Sequence, residues 1–192
     1  GNSVRFLQTD SWEMGVVNWT NRFPEEFKKY RGYDIFPYLP VMTGRIVESP
    51  ELSNRFLQDL RRTVSDCIYE NHYMLFKELA HKHGMMIDPE SGGPCYTPVD
   101  ALKIMSISDI PHGEYWARSI SHVASEGARL SVRQSACVAH TNGKRFVEAE
   151  GPTSIGPQWE RSPKDLKGIL DRIFCSGVNR LVWHAFVSSP KE

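Results

Sequence analysis

Two hydrophobic periods alternate along this chain. Short apolar runs that end in a carboxylate or an imidazole recur, and stretches with helical spacing separate most of them. The first run, Phe6-Leu7-Gln8-Thr9, delivers Asp10-Ser11-Trp12-Glu13 into a loop. Met85-Met86-Ile87-Asp88-Pro89-Glu90, Ser108-Asp109-Ile110-Pro111-His112-Gly113-Glu114, Phe146-Val147-Glu148-Ala149-Glu150 and Leu181-Val182-Trp183-His184 follow the same plan. Short apolar runs bounded by turn formers predict buried strands. Parallel strands are therefore expected near residues 4–9, 85–88, 106–110, 145–149 and 180–186, with Glu13, Glu90, Glu114 and Glu150 at one common end.

Helices are expected between them. Phe23-Pro24-Glu25-Glu26-Phe27 opens one with proline and acids in its first turn, and Gly32 stops it. The proline-punctuated stretch from Asp34 to Pro50 excludes a regular helix and is expected to be an excursion on the rim of the sheet. Ser53 or Asn54 suits the cap of a long helix running to His83, in which Phe56, Leu60, Val64, Cys67, Ile68, Leu75, Phe76 and Leu79 keep a helical period. Gly84 then ends it. Asp100 to Met105 is a short helix or a strand lead-in. A small-residue-rich helix follows from about Ile120 to His140, and Asn142-Gly143 turns the chain. Ser162-Pro163-Lys164-Asp165 starts the last helix, with serine as cap and proline at the first helical position.

Strands alternating with helices, with acids at the strand ends, match the α/β plan of a (β/α)8 TIM-type barrel, whose site forms at the C-terminal ends of its strands. Only about five strands are legible here, whereas a closed barrel has eight. A five-stranded portion leaves two open sheet edges, which a stable monomer avoids. The chain is therefore expected to hold only the last five or so β/α units, as a partial catalytic barrel within a longer multidomain enzyme. An open doubly wound sheet is the alternative.

Composition narrows the function classes. The 192 residues, 40% apolar and 24% charged, suffice for one globular domain with a core. Acidic and basic residues balance at 23 each, without a basic run, which argues against nucleic acid or an anionic membrane as the main partner. No apolar run reaches the roughly 18 residues of a membrane span, and the first residues lack a signal-peptide pattern. Cys67, Cys95, Cys137 and Cys175 lack a CxxC pairing, so buried thiols rather than a zinc site are expected.

Glu13, Glu114 and Glu150 each lie beside aromatic or small residues at an expected strand end. Such carboxylates suit sugars: an aromatic face stacks on a pyranose, carboxylates bind its hydroxyls, and a carboxyl kept protonated serves as general acid to a glycosidic oxygen. A solvated loop charge explains any one of the three glutamates alone, but explains all three poorly. Trp116 and Trp159 are the preferred sugar platforms because both are expected in loops, whereas a tryptophan is more often core. His112 and His184 could bind hydroxyls or a metal, against the plainer reading of satisfied structural histidines. Asp88 with Glu90 falls short of the six to eight oxygens calcium takes.

Several segments together carry a family resemblance. Asp10-Ser11-Trp12-Glu13 with Asn18-Trp19-Thr20, Arg31-Gly32-Tyr33-Asp34 with Pro37-Tyr38-Leu39-Pro40, Pro89-Glu90-Ser91-Gly92-Gly93-Pro94, Gly113-Glu114-Tyr115-Trp116, Ala149-Glu150 and Gly177-Val178-Asn179-Arg180 resemble, in order and spacing, the glycoside hydrolase family 106 α-L-rhamnosidases. The resemblance covers nearly the whole chain. It implies the C-terminal half of a catalytic barrel, its fourth to eighth strands, from an exported (periplasmic or extracellular), inverting, calcium-assisted enzyme that releases α-linked L-rhamnose from plant polysaccharides or glycosides. It implies Glu13 as general acid and Glu150 as the base, with Glu114 a second candidate for base or for water positioning. Asp10, Trp12, Asp88, Glu90, His112, Trp116, Trp159 and His184 are the candidate substrate-binding residues, and the calcium ligands are not placed. Where the family commonly has Ala-Glu-Ala-Phe-Thr, this chain has Ala149-Glu150-Gly151-Pro152-Thr153.

Two other readings compete. A non-catalytic carbohydrate-binding barrel segment would keep the aromatics and lose an acid or base, yet all three candidate carboxylates are present. A metal-dependent hydrolase of the amidohydrolase type needs His-x-His on its first strand, and here that spacing occurs only as His81-Lys82-His83, at the end of a helix.

Overall fold

The computed structural model describes residues 3–14, 18–91, 99–118, 126–154 and 161–184. It is a mixed α/β structure with small parallel sheets. β1 (Phe6–Leu7) pairs with β2 (Met86–Ile87), and β3 (His112–Arg118), β4 (Glu148–Ser154) and β5 (Arg180–Val182) pair in that order. Every pairing is parallel, and a parallel bridge from Glu90 to His112 continues the order from β2 to β3. Parallel neighbours need crossover connections. α4 (Ala101–Ile107), α5 (Glu126–Thr141) and α6 (Pro163–Cys175) lie within them.

Sequence and structure part company at residues 106–110. The expected strand there is instead the end of α4 and a turn, and the strand begins at His112. Ile104, Met105 and Ile110 are buried, so the apolar run forms the inner face of a helix and then a plug. Asp109 fixes the turn: its Oδ2 accepts from the Ile87 amide at 2.7 Å and lies 2.8 Å from His81 Nε2. His81, whose spacing with His83 mimics a metal-binding pair, is thereby engaged in a structural contact.

The two faces of the strands differ in kind. Alternate residues of a strand point to opposite sides. Val147 just before β4, Ala149 of β4 and Tyr115 of β3 join Val132, Ala136, Ala139, Ile173 and Val178 in a core under α5 and α6. His112, Glu114, Glu148 and Glu150 occupy the other phase, as do Asp88 and Glu90 just past β2. Close helix packing requires glycine at 113, where a Cβ would come within 2.9 Å of the Ser131 carbonyl oxygen. The serine hydroxyl at that contact accepts a hydrogen bond from the Glu114 amide at 3.1 Å.

The chain divides into two compact units, one of Gly1–Glu13, Lys77–Cys95 and Ala101–Glu192 and the other of Met14–Phe76 with Tyr96–Asp100, so that one of the crossings falls inside α3 (Leu75–Lys82). All five strands belong to one. The other holds α1 (Phe23–Arg31), a 3-10 run at Phe36–Thr43, α2 (Pro50–Ile68) and a π turn at Tyr69–Met74. Its core is aromatic: Phe27 meets Tyr33 edge-on at 5.0 Å, and Tyr38 stacks on Phe56 at 5.5 Å. Gly32 closes α1 in the left-handed conformation, and Arg31 pairs with Asp66. The segments Arg31 to Asp34 and Pro37 to Pro40 are thus packing and capping devices.

The long helix starts earlier than expected, because Ser49 caps it and Pro50 takes the first position, while Ser53 is buried in its first turns. The π turn explains why the predicted apolar face fails beyond Ile68. Buried positions advance by four through Phe56, Leu60, Val64 and Ile68, then by five to Tyr73, which one wider turn accommodates. Leu75 and Leu79 consequently fall on the exposed side. The cysteines also depart from expectation: Cys137 and Cys175 are exposed and Cys67 is half-buried, while Cys95 lies outside the described residues.

Candidate active site

The residue i, i+2 spacing on parallel neighbours builds the site in two layers. In the upper layer, Glu114 of β3 is in register with Glu150 of β4, Glu90 follows β2, and Asp10 follows β1. In the layer beneath, His112 is in register with Glu148, and Glu148 with Arg180. Asp88 stands in that layer two residues before Glu90.

The upper layer is a carboxylate cluster. One oxygen from each of Asp10, Glu90 and Glu150 lies within 4.8 Å of the other two. Asp10 is exposed, while Glu90 and Glu150 are buried. Burial first, then the charges of Glu114 and Glu150, push Glu90 up to about 10, so it carries a proton at neutral pH. Its carboxyl is hydrogen-bonded with those of Glu114 and Glu150. Burial also raises Glu150, against the opposing pull of His184. Glu114 accepts from the indole Nε1 of Trp116 two residues on, and the Trp116 and His184 rings lie 6.3 Å apart. Glu150 is followed by Gly151, whose φ of 139° and whose closeness to the Tyr115 carbonyl exclude a side chain.

The sequence-derived residues divide accordingly. Asp10, Glu90, Glu114 and Glu150 come together, with Trp116 and His184 beside them. Asp88 and His112 form part of the lower layer. Glu114 and Trp116 were expected in the loop after a strand and instead lie within β3, because that strand starts later than the apolar run implies. Glu13 stays on the exposed loop after β1, where its Oε1 accepts from Ser11 Oγ at 2.8 Å, and the Ser11 amide in turn donates to Asp10 Oδ1 at 2.7 Å. Trp12 is half-buried in the same loop. Trp159 lies outside the described residues.

Sequence reasoning missed Glu148 and Arg180. Glu148 is fully buried with its Oε1 2.8 Å from Arg180 Nε, and burial, then the Asp88 charge, lifts it to about 7. The signal was the two-residue spacing from Glu150, which puts both glutamates on one face of a strand.

A hard cation would fit the upper layer. Its donors are all carboxylate oxygens, and Glu90 Oε2 is buried without a hydrogen-bond partner.

Parallel strands that end in interacting buried carboxylates, one holding a proton at neutral pH, bring together groups able to give and take protons. The chain belongs to the glycoside hydrolase 106 family: the family model, described as alpha-L-rhamnosidase, matches residues 1–192. It resembles the solved structure of a rhamnosidase from Novosphingobium sp. PP1Y, at a TM-score of 0.82 and 37% identity, covering 97% of this chain and 18% of that one. It is also 37% identical over 190 residues to a Formosa agariphila protein that carries the provisional name beta-glucuronidase, covering 99% of this chain and 16% of that protein. The chain thus spans less than a fifth of either relative.

Proposed function

We propose that this chain is the catalytic segment of a longer, exported, inverting glycosidase that releases terminal α-L-rhamnose from plant polysaccharides or glycosides. Its five parallel strands are then the second part of a (β/α)8 barrel that the remainder of its chain completes. The observation that carries the reading is the cluster of Asp10, Glu90, Glu114 and Glu150 at one end of consecutive parallel strands, with Glu13 on the loop above.

In this mechanism Glu13 protonates the leaving oxygen. It sits on an exposed loop oriented by Ser11, where it can meet a departing aglycone. Glu150 takes the proton of the attacking water, and its raised affinity for protons suits it to the task. Glu114, fixed by the indole of Trp116, positions that water and is the alternative base. Without an ion Glu90 keeps its proton beside Glu114 and Glu150, and it would give that proton up on taking calcium. Asp10, Glu90 and Glu150 would hold calcium, which supplies a positive charge that takes sugar hydroxyls as ligands. Trp116 and His184 line the sugar from one side.

The name of the Formosa relative raises a glucuronide as second substrate. In the ion-free cluster a uronate carboxylate would enter a field already set by several carboxyl groups. A neutral deoxy sugar meets no such repulsion. The test is hydrolysis by the full-length protein of p-nitrophenyl α-L-rhamnoside and p-nitrophenyl β-D-glucuronide, with and without chelator, following the first-formed anomer by NMR. Rhamnoside cleavage with inversion, weakened by chelator, is expected. Retention, or cleavage of the glucuronide alone, would overturn the proposal.

A further inference from the structure

The lower layer has no part in that mechanism, and its chemistry differs from the layer above. We propose that Asp88, His112 and Glu148 form a second cation site, for a borderline divalent ion such as zinc or manganese. One ligand atom from each lies within 4.8 Å of the other two, and all three residues are buried.

What marks the cluster is its set of unsatisfied atoms. Asp88 Oδ1, His112 Nε2 and both carboxylate oxygens of Glu148 are buried with no donor hydrogen-bonded to them, and the Asp88 and Glu148 carboxyls can bond only to each other, when one of them holds a proton. Buried polar atoms without partners are uncommon and call for an occupant. His112 Nδ1 lies 3.1 Å from the Asp88 carbonyl oxygen and donates to it, which leaves Nε2 as a lone pair. A histidine that ligates a metal characteristically gives its other N–H to such a carbonyl. The unsatisfied atoms are therefore acceptors, and their occupant must be positive or a donor.

Arg180 meets part of this demand. Its Nε is 2.8 Å from Glu148 Oε1, close enough for an ion pair though outside hydrogen-bonding alignment, and it balances one of two carboxylates. One imidazole nitrogen with two carboxylates is a donor set for borderline transition ions, whereas the all-oxygen upper layer suits calcium. An ion here would tie together the end of β2 and the starts of β3 and β4, two residues before Glu90, Glu114 and Glu150. The proposal does not depend on the glycosidase reading.

The test uses full-length protein, stripped of metal, saturated with calcium to fill the upper layer, then titrated with manganese or zinc and followed by calorimetry. Pulsed EPR of the manganese form reads the imidazole nitrogen. Expected are one further equivalent bound, a nitrogen coupling that His112→Gln abolishes, and affinity lowered by about tenfold or more in Asp88→Asn. If His112→Gln does not fold, Asp88→Asn with a wild-type circular dichroism spectrum carries the test by its affinity. Absence of a further equivalent would show that a proton and a water fill the layer. Binding with an unchanged nitrogen signal in a folded His112→Gln, or with unchanged affinity in Asp88→Asn, would place the ion elsewhere; each of these results overturns the proposal.

Discussion

Two carboxyl groups, Glu90 and Glu13, show how environment assigns work to identical side chains. Glu90 is sealed among other acids and holds its proton up to about pH 10, against an ordinary value near 4.5. Between those values the folded state binds a proton that the unfolded state has released, so stability falls as pH rises across the window. Glu90→Gln, which keeps the hydrogen bonding without the ionisation, should flatten that decline by up to about 1.4 kcal/mol per pH unit. Denaturant melts of the metal-free protein at pH 5 and pH 8 measure it, and an unchanged slope would show that the proton lies elsewhere. Glu13 is exposed, and its predicted part is chemical. Glu13→Gln should lose about 10²- to 10⁴-fold in kcat/KM on substrates with poor leaving groups and much less on activated aryl glycosides. Glu150→Gln should lose on both, since every substrate needs the activated water. Azide separates the base candidates: rescue of Glu150→Ala to a glycosyl azide of inverted configuration supports Glu150, and rescue of Glu114→Ala alone transfers the role.

At the level of elements, the end of β4 is the most constrained part of the site. Gly151 has a φ of 139°, and a Cβ there would sit 2.5 Å from the Tyr115 carbonyl oxygen, so Gly151→Ala must move the backbone beside Glu150. The cost should be about 1–3 kcal/mol in stability, with kcat falling more than the loss of folded protein explains. Gly168, on an exposed turn of α6 with nothing near its Cβ position, makes the control: Gly168→Ala should stabilise by about 0.5–1 kcal/mol and leave kcat unchanged. Thermal melts and kinetics on the same preparations separate the two effects. These elements also show where sequence was a good guide. The caps at Gly32 and Ser162 are local chemistry, and the structure holds both. The site carboxylates were found because acids interrupt apolar runs. The start of β3 was not, since Ile104, Met105 and Ile110 are buried by tertiary packing and a short apolar run does not distinguish strand from helix. Glu148 was passed over for a related reason: inside a strand an acid has no turn residue to announce it.

For the whole molecule, the unpaired sides of the sheet matter most. Among the described residues β1 pairs only with β2, and β5 only with β4, so the strand order ends at Phe6–Leu7 on one side and at Arg180–Val182 on the other. Each end presents backbone donors and acceptors that another strand can take up. Val4 and Trp183, next to these strands, are exposed, and so is Phe146 just before β4. The matched relatives are more than five times as long, so they carry further chain beyond the part this one spans. In a closed barrel those two edges pair with strands from the rest of the chain, and the interior layers of Asp88, His112, Glu148 and Arg180 are then walled on every side. Residues 1–192 expressed alone should therefore self-associate or bind hydrophobic dyes, and should unfold at a lower temperature than the same segment within the full-length protein. Size-exclusion chromatography with dye fluorescence, and hydrogen exchange at the β1 and β5 amides in both forms, measure this. Edge amides that are equally protected in both forms, in a monomeric and cooperatively unfolding segment, would mean that five strands make a complete sheet, and the barrel would have to be given up.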